Sequence, residues 1–564
     1  MKASEKKIID LFSEVDTVFS IPVYQRDYNW QEKHCQLLFD NILKVGKDMN
    51  VSSHFIGSIV YIHDGVYSIG EKEFYVIDGQ QRMTTITLLF LALYYKLKET
   101  NKRAADKIYE QYIINKYSEK EMNLKLLPPE ENLIILNKIS KNFFNELEEY
   151  QDRNMLKNYI FFKNSVENLS GEEIECFLKG IEKLIYVDIA LEKGKDDPQK
   201  IFESLNSTGL DLSQGDLIKN YILMDLEKTE QNKIYKDIWL PIENNCKVSD
   251  GSKIISYISD FIRDYLTLKN SKIPTKSKVF EEFKKFYQGK TDDILEDIKI
   301  YSYFYAIIRK PKLEKDLQLR KELEYLKILD QTVITPFLIG VLRDCKEEKI
   351  SKKETINILK LLQSYIWRRY ITGEPSNALS KLFQGMYSKT SKDGKYYNVL
   401  ESILLNQGFP TDEELKQSLK LKPLYKDKDK LNYVFQRLEN YYHNEPIDFH
   451  NGKIIIGHIF PQKPNKDWKE KYSKTEFEYM KRVKDTISNL TLIRSDSNLR
   501  SKSFSCKRDD IIYGYKNSKL YLNGYLGKLD EWDLLKMAER FENLYKDIIQ
   551  IWRRPEMRKI GDVE

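Results

Sequence analysis

Residues 74–89 read FYVIDGQQRMTTITLL. An aromatic and β-branched run stops at Asp78-Gly79, a dipeptide that favours a turn. A mostly apolar run follows from Ile86 to Tyr95; it is too short to span a bilayer and has the character of a buried helix. The order predicts a strand, a tight polar turn and a helix. At such a junction helix N–H groups and a cation can converge on an anion. Asp78 can hold a metal ion, Arg82 can clamp a phosphate bidentately, and Gln80 and Gln81 can supply neutral hydrogen bonds. The rival is a polar turn whose Asp78 caps the helix and pairs with Arg82. Local chemistry alone favours the rival, because the stretch has no P-loop.

At 564 residues the chain has room for several domains, roughly three or four of ~150 residues each. Residues 1–20 mix charges through any apolar run, so no signal peptide is expected. No window reaches the ~18 apolar residues of a membrane span. Cys35, Cys176, Cys246, Cys345 and Cys506 are scattered without a CxxC, which excludes the usual zinc-finger spacing and fits a reduced, cytoplasmic protein. The net charge of +6 is modest, but residues 481–520 carry ten Lys or Arg against four Asp. Such a local excess attracts phosphate backbones, although a solvated face is the ordinary explanation. His34, His54 and His63 lie near one end, and His443, His450 and His458 near the other. Imidazole chemistry is confined to those ends.

Residues 1–20 are expected to open as a helix, with Ile8, Ile9, Leu11 and Phe12 on its apolar face. Residues 21–30, IPVYQRDYNW, set aromatics beside Tyr24, Gln25 and Arg26. This is either a nucleotide pocket or a buried aromatic corner with an Arg26–Asp27 pair. Residues 31–45 look helical. HFIGSIVYIH at 54–63 is strand-like, and its Gly57 permits close approach by another backbone. With 74–77 and 184–190 it can form a small sheet. Residues 96–180 have helical spacing. IFESLNSTGLDLSQGDLIKNYILMD at 201–225 gives a turn at 206–209 and an amphipathic helix. A capped turn is the plain explanation; the functional one sets Asn206 and Lys219 beside Asp78. Residues 230–440 read as helical. Arg368 and Arg369, in YIWRRYITG, can bind phosphate or, more commonly, pair with acids across the bundle. Residues 389–397 and 422–430 are expected as exposed loops.

The last 120 or so residues change character. NGKIIIGHIFP at 451–461 is a turn and a strand that ends at His458; ISNLTLIRSDSNLRSKSFSCK at 487–507 is a second strand, a polar turn and a basic helical end. A lone His beside a Pro is more often structural. Paired with an Asn after the next strand, it can deprotonate a water while the Asn helps hold a divalent cation and the basic residues grip phosphates.

The motifs IPVYQRDYNW, FIGSIV, VIDGQQRMTTI and IFESLNSTGLDLSQGDLIKNYIL, in that order, resemble the N-terminal domain of GmrSD-type restriction proteins. HIFPQ followed by ISNLTLIRSDSNLRSKSF resembles their C-terminal domain. The resemblance implies an α+β, predominantly helical protein. Residues 1–228 would be a ParB/sulfiredoxin-like nucleotide-binding domain, 229–440 a helical middle region, and 441–564 a ββα-metal (HNH) nuclease domain. It implies nucleotide binding and hydrolysis at Asp78, Gly79, Gln80, Gln81 and Arg82 with Tyr24, Gln25 and Arg26. It assigns His458 as general base, Asn489 as the residue orienting the His loop, and Asn498 as a metal ligand. Arg494, Arg500, Lys502 and Lys507 would contact DNA. The implied cofactors are Mg2+ or Mn2+ and GTP or another nucleoside triphosphate. The implied substrate is double-stranded DNA, modified, cut in anti-phage defence; a homodimer is compatible. One departure stands out: the family has Glu or Asp immediately before this His, and here it is Gly457. Loss of an anionic ligand weakens divalent binding, and Asp496 is the candidate substitute. The alternative is a nucleotide-sensing DNA-binding protein with a degenerate nuclease domain.

Overall fold

Lys72 to Asp78 set the aromatic and β-branched run Phe74–Ile77 between charged residues and form a strand. The computed structural model describes residues 2–63, 71–116, 118, 123–206, 212–224, 226–251, 253–288, 292–392, 394–443 and 453–556. The chain divides into two compact units, Met1–Pro241 and Ile242–Glu564.

The first unit is built on a six-stranded mixed sheet. Its strands are β1 (Lys2–Lys7), β2 (Thr17–Ser20), β3 (His54–His63), β4 (Lys72–Asp78), β5 (Leu126–Leu127) and β6 (Leu184–Glu192), in the order β1-β6-β3-β4-β2-β5. The three strands expected from sequence are adjacent: β3 runs antiparallel to β4 and parallel to β6. The helix Gln80–Thr100 leaves β4 after one residue and buries Met83, Ile86, Leu89, Phe90 and Leu93. At about 0.8 kcal/mol per buried CH2, this core contributes heavily to holding the junction in place. The helices Pro198–Asn206 and Gln214–Leu223 place Phe202 and Leu217 against Val60 and Ile77.

Residues 2–7 form a strand rather than the start of a helix. The apolar run Ile8–Phe12 supports only the short helix Ile8–Ser13, and β1 is fixed by pairing with β6 and by the Lys6–Asp188 ion pair at 2.8 Å. Long-range pairing of this kind leaves no local periodicity to read.

The second unit is mainly helical, with a hairpin of β7 (Lys247–Asp250) and β8 (Lys253–Ser256) where none was expected. Arg368 is fully buried: it donates to the Trp552 and Pro410 carbonyls and pairs with Asp412 at 2.7 Å. Arg369 donates to the Pro375 carbonyl. The two arginines therefore hold the helical unit together. Two expected loops are ordered instead. Met386–Ser391 and Tyr396–Asn406 are helices, and Leu424–Lys426 is a 3-10 turn leading into the helix Lys428–Tyr442. Lys422 donates to the Ile371 carbonyl at 3.0 Å, so the lysine-rich composition concealed a docked segment. The strands β9 (Ile454–His458) and β10 (Leu490–Arg494) pair antiparallel and are followed by the helix Phe504–Asp509. The side chain of Asn206, residues 207–211, His450 and the Asn451-Gly452 turn lie outside the described residues. Among the described residues no helix is long and apolar enough to cross a membrane.

Candidate functional site

In the first unit the two N-terminal motifs interlock. Gln25 is buried and donates to the Ile77 carbonyl at 3.0 Å. Gln81 is buried; its amide oxygen accepts from the Asn29 and Trp30 N–H groups, and its amide nitrogen donates to the Asp27 carbonyl. These glutamines are thus occupied in joining the 21–30 segment to the helix start. Tyr24 and Gln80 are buried and Arg26 is half-buried. Gly79 has φ +93°, which favours glycine, and it is the residue preceding the first helical turn. Among the described residues Asp78 does not cap that turn, and its carboxylate is 4.0 Å from Arg82, the limit of an ion pair. The Arg82 guanidinium instead crosses β3: it donates to the Ser58 carbonyl and lies over Gly57, where an added Cβ would stand 3.0 Å from Arg82 Cζ. Close approach at Gly57 is therefore by a side chain, not by a backbone. Lys219 is buried on the helix Gln214–Leu223, whose Leu217 packs with Val60 and Ile77.

In the second unit the strand end at His458 is gripped from three sides. Asn489 is fully buried. Its oxygen accepts from the Phe460 N–H at 2.7 Å and from the Trp532 indole at 3.2 Å. Its nitrogen donates to the Phe460 and Lys484 carbonyls. Arg540, also buried, donates to the Ile487 and Ser488 carbonyls just ahead of it. Lys507 donates to the His458 and Ile459 carbonyls, each at 2.8 Å. It is 2% exposed, and burial pulls its pKa down to about 7. Lys507 therefore cannot be the surface DNA contact expected from its charge. The helix Phe504–Asp509 turns it inward because Phe504, three residues earlier, packs on Tyr515 and Trp532.

His458 Nε2 lies 2.8 Å from Asp485 Oδ1. A carboxylate only accepts, so Nε2 carries the proton and the lone pair of the neutral ring is on Nδ1. Burial lowers the His458 pKa below its ordinary value, against the opposing pull of Asp485. The imidazole is accordingly neutral near pH 7, the state a general base requires. Asp485 is set by its own backbone: its carbonyl accepts from the Leu424 N–H at 2.9 Å. The next residue, Tyr425, presses edge-on against the His458 ring, with centroids 4.4 Å apart. Asp485 escaped the sequence because it precedes β10 by five positions and meets His458 only through the strand register, Leu490 opposite His458.

The remaining expected residues are dispersed. Arg494 forms a two-point pair with Asp496, both contacts at 3.1 Å, and Asp496 also accepts from the Tyr513 hydroxyl. Asn498 and Lys502 are exposed, and Arg500 lines a cavity of about 550 Å3 that His458 also lines. A hard divalent cation needs several oxygen donors, carboxylates above all. Position 457 offers no side chain, and a Cβ there would meet Ile493 Cδ1 at 2.8 Å. Asp496 is engaged by Arg494, and neither it nor Asn498 lines the His458 cavity. Among the described residues no three His, Cys, Asp or Glu are grouped as a metal site. Among the described residues the donor set expected for Mg2+ or Mn2+ is not assembled at His458.

Residues 8–223 match the family model described as the GmrSD restriction endonuclease N-terminal domain, and residues 409–547 match that described as the GmrSD restriction endonucleases C-terminal domain. Together these matches span more than half of the chain. No curated protein matches it.

Proposed function

The chain belongs to the GmrSD restriction endonuclease family, and on that footing we propose that it hydrolyses DNA phosphodiesters at His458. The observation that carries this is the His458–Asp485 pair, a neutral imidazole with its Nε2 proton held by a carboxylate and Nδ1 left as base. In the reaction Nδ1 takes a proton from a water as its oxygen bonds to phosphorus. The P–O ester bond breaks, and the leaving oxygen takes a proton from solvent. Asp485 fixes the tautomer and steadies the imidazolium that forms. Asn489 and Lys507 hold the strand end so that the ring does not swing away.

GmrSD restriction endonucleases are expected to use divalent metal. We infer no step through a metal in this chain, because among the described residues its donors are not assembled. In the first unit, the Gln80–Thr100 helix start and the partly exposed Arg82 suit a triphosphate, GTP or another. Its hydrolysis would license cleavage of modified DNA in anti-phage defence. Gly457 favours the second hypothesis, a nucleotide sensor with a silent nuclease. Plasmid cleavage separates the two. Modified and unmodified DNA are incubated with and without divalent metal and triphosphate. Cutting that disappears in His458→Ala supports the nuclease. Intact triphosphate turnover without any cutting supports the sensor.

A further inference from the structure

Five of the ten cations in the basic segment 481–520 are engaged by neighbours or buried. Lys481 pairs with Glu478, Arg494 with Asp496, Arg508 with Asp509 and Asp530, and Lys516 with Asp509; Lys507 is buried. Cations without a carboxylate partner also line the cavity that contains His458, two of them from outside this segment. Lys428, Lys463 and Arg500 are exposed and line the cavity that contains His458. Among the described residues none of the three has a carboxylate within ion-pair distance. Three unpaired cations around one concavity repel one another and concentrate positive potential there, a cost that an anionic ligand removes. Lys428 is held in place from below: its ammonium lies 5.4 Å from the centroid of the Tyr425 ring. Tyr425 in turn abuts His458, and its turn is tied to Asp485 through the Leu424 N–H. The cations and the base are therefore parts of one construction.

We propose that Lys428, Lys463 and Arg500 bind the phosphodiester backbone of the DNA strand presented to His458. The assignment rests on the endonuclease function above but places the DNA on the cavity side, using two lysines that lie outside the basic segment. It also gives the cavity a source of positive charge at a place where metal donors are lacking. Sequence-independent backbone contacts are read from salt dependence, because each neutralised phosphate contributes about 0.9 to the slope of log K against log salt.

The test is fluorescence anisotropy of a short labelled duplex with the full chain carrying His458→Ala, across a salt series. Adding Lys428→Ala and Lys463→Ala together is expected to reduce the slope by about 2 and to weaken binding roughly tenfold or more, whatever the DNA sequence. Lys481→Ala, which removes a paired cation, should leave the slope unchanged. Circular dichroism and thermal melting verify that the variants are folded. An unchanged slope in the double variant, or no duplex binding by the parent protein, overturns the proposal. Competition by free phosphate and by GTP separates the sources of the anion. If the double variant loses GTP binding while its DNA slope stays put, the cavity is a nucleotide site and the proposal is likewise overturned. If the slope falls as expected but the protein with His458 intact never cuts DNA, the backbone site stands and the catalytic claim fails.

Discussion

The imidazole of His458 and the carboxylate of Asp485, 27 residues apart in the chain, meet at 2.8 Å, and the tautomer of the histidine follows from that contact. The first prediction concerns this pair. Asp485→Asn retains an oxygen acceptor for Nε2–H but removes the charge. Cleavage should drop roughly 10- to 100-fold in kcat with little change in KM, part of the 10²–10⁴ a positioned base contributes. The carboxylate raises the His458 pKa against burial, so its loss moves the acid limb of the pH–rate profile to lower pH. An unmoved profile would show that Asp485 does not act through the imidazole.

Asn489→Ala removes a buried amide with four hydrogen-bonded partners, the Phe460 N–H, the Trp532 indole and the Phe460 and Lys484 carbonyls. Leaving such groups unsatisfied costs about 2–4 kcal/mol of stability. Chemical denaturation measures it; a loss below ~0.5 kcal/mol would contradict the clamp.

Lys507 makes stability depend on pH in a definite direction. Its folded pKa of about 7 is below the unfolded value, which is ~10.4. Between these values the unfolded chain binds more protons, so this residue's contribution rises with pH from about 7 to 10 and is flat below 7. Lys507→Met should abolish that rise. Denaturation of both proteins at several pH values reads the difference, and parallel curves would refute the burial argument.

Much of this was legible in the sequence, and what was missed has physical causes. The strand, turn and helix at 74–89 and the two strands ending in His458 and Arg494 were visible because their apolar runs are bounded by turn residues. The edge strand β1 was invisible because Lys2–Lys7 owes its conformation to β6 across the chain. The composition of 422–430 suggested solvent, yet its backbone N–H groups anchor Asp485. Charge counting also failed at Lys507, since a lysine beside an inward-facing Phe504 can be buried as a hydrogen-bond donor.

Gly57→Ala should disturb the Arg82 site from the opposite strand. Position 57 has φ +107°, and the added methyl would crowd the guanidinium. Triphosphate affinity is expected to fall roughly 10-fold or more in both Gly57→Ala and Arg82→Ala, since charge-assisted bonds contribute about 1.5–3 kcal/mol. Calorimetric titration with GTP decides it, and undiminished binding in both would remove Arg82 from the site.

Metal titration examines the donor argument separately. Calorimetry with Mg2+ or Mn2+ should reveal no site tighter than about 1 mM. A tight site lost in Asp496→Ala or Asn498→Ala would restore the expected ligands.

The most direct measurement is single-turnover cleavage of a labelled duplex by the parent protein and by His458→Ala, with DNA binding recorded for both. If His458 is the base, the variant binds DNA as the parent does and cuts at least 10²-fold more slowly. Equal cutting rates in the two folded proteins would contradict it.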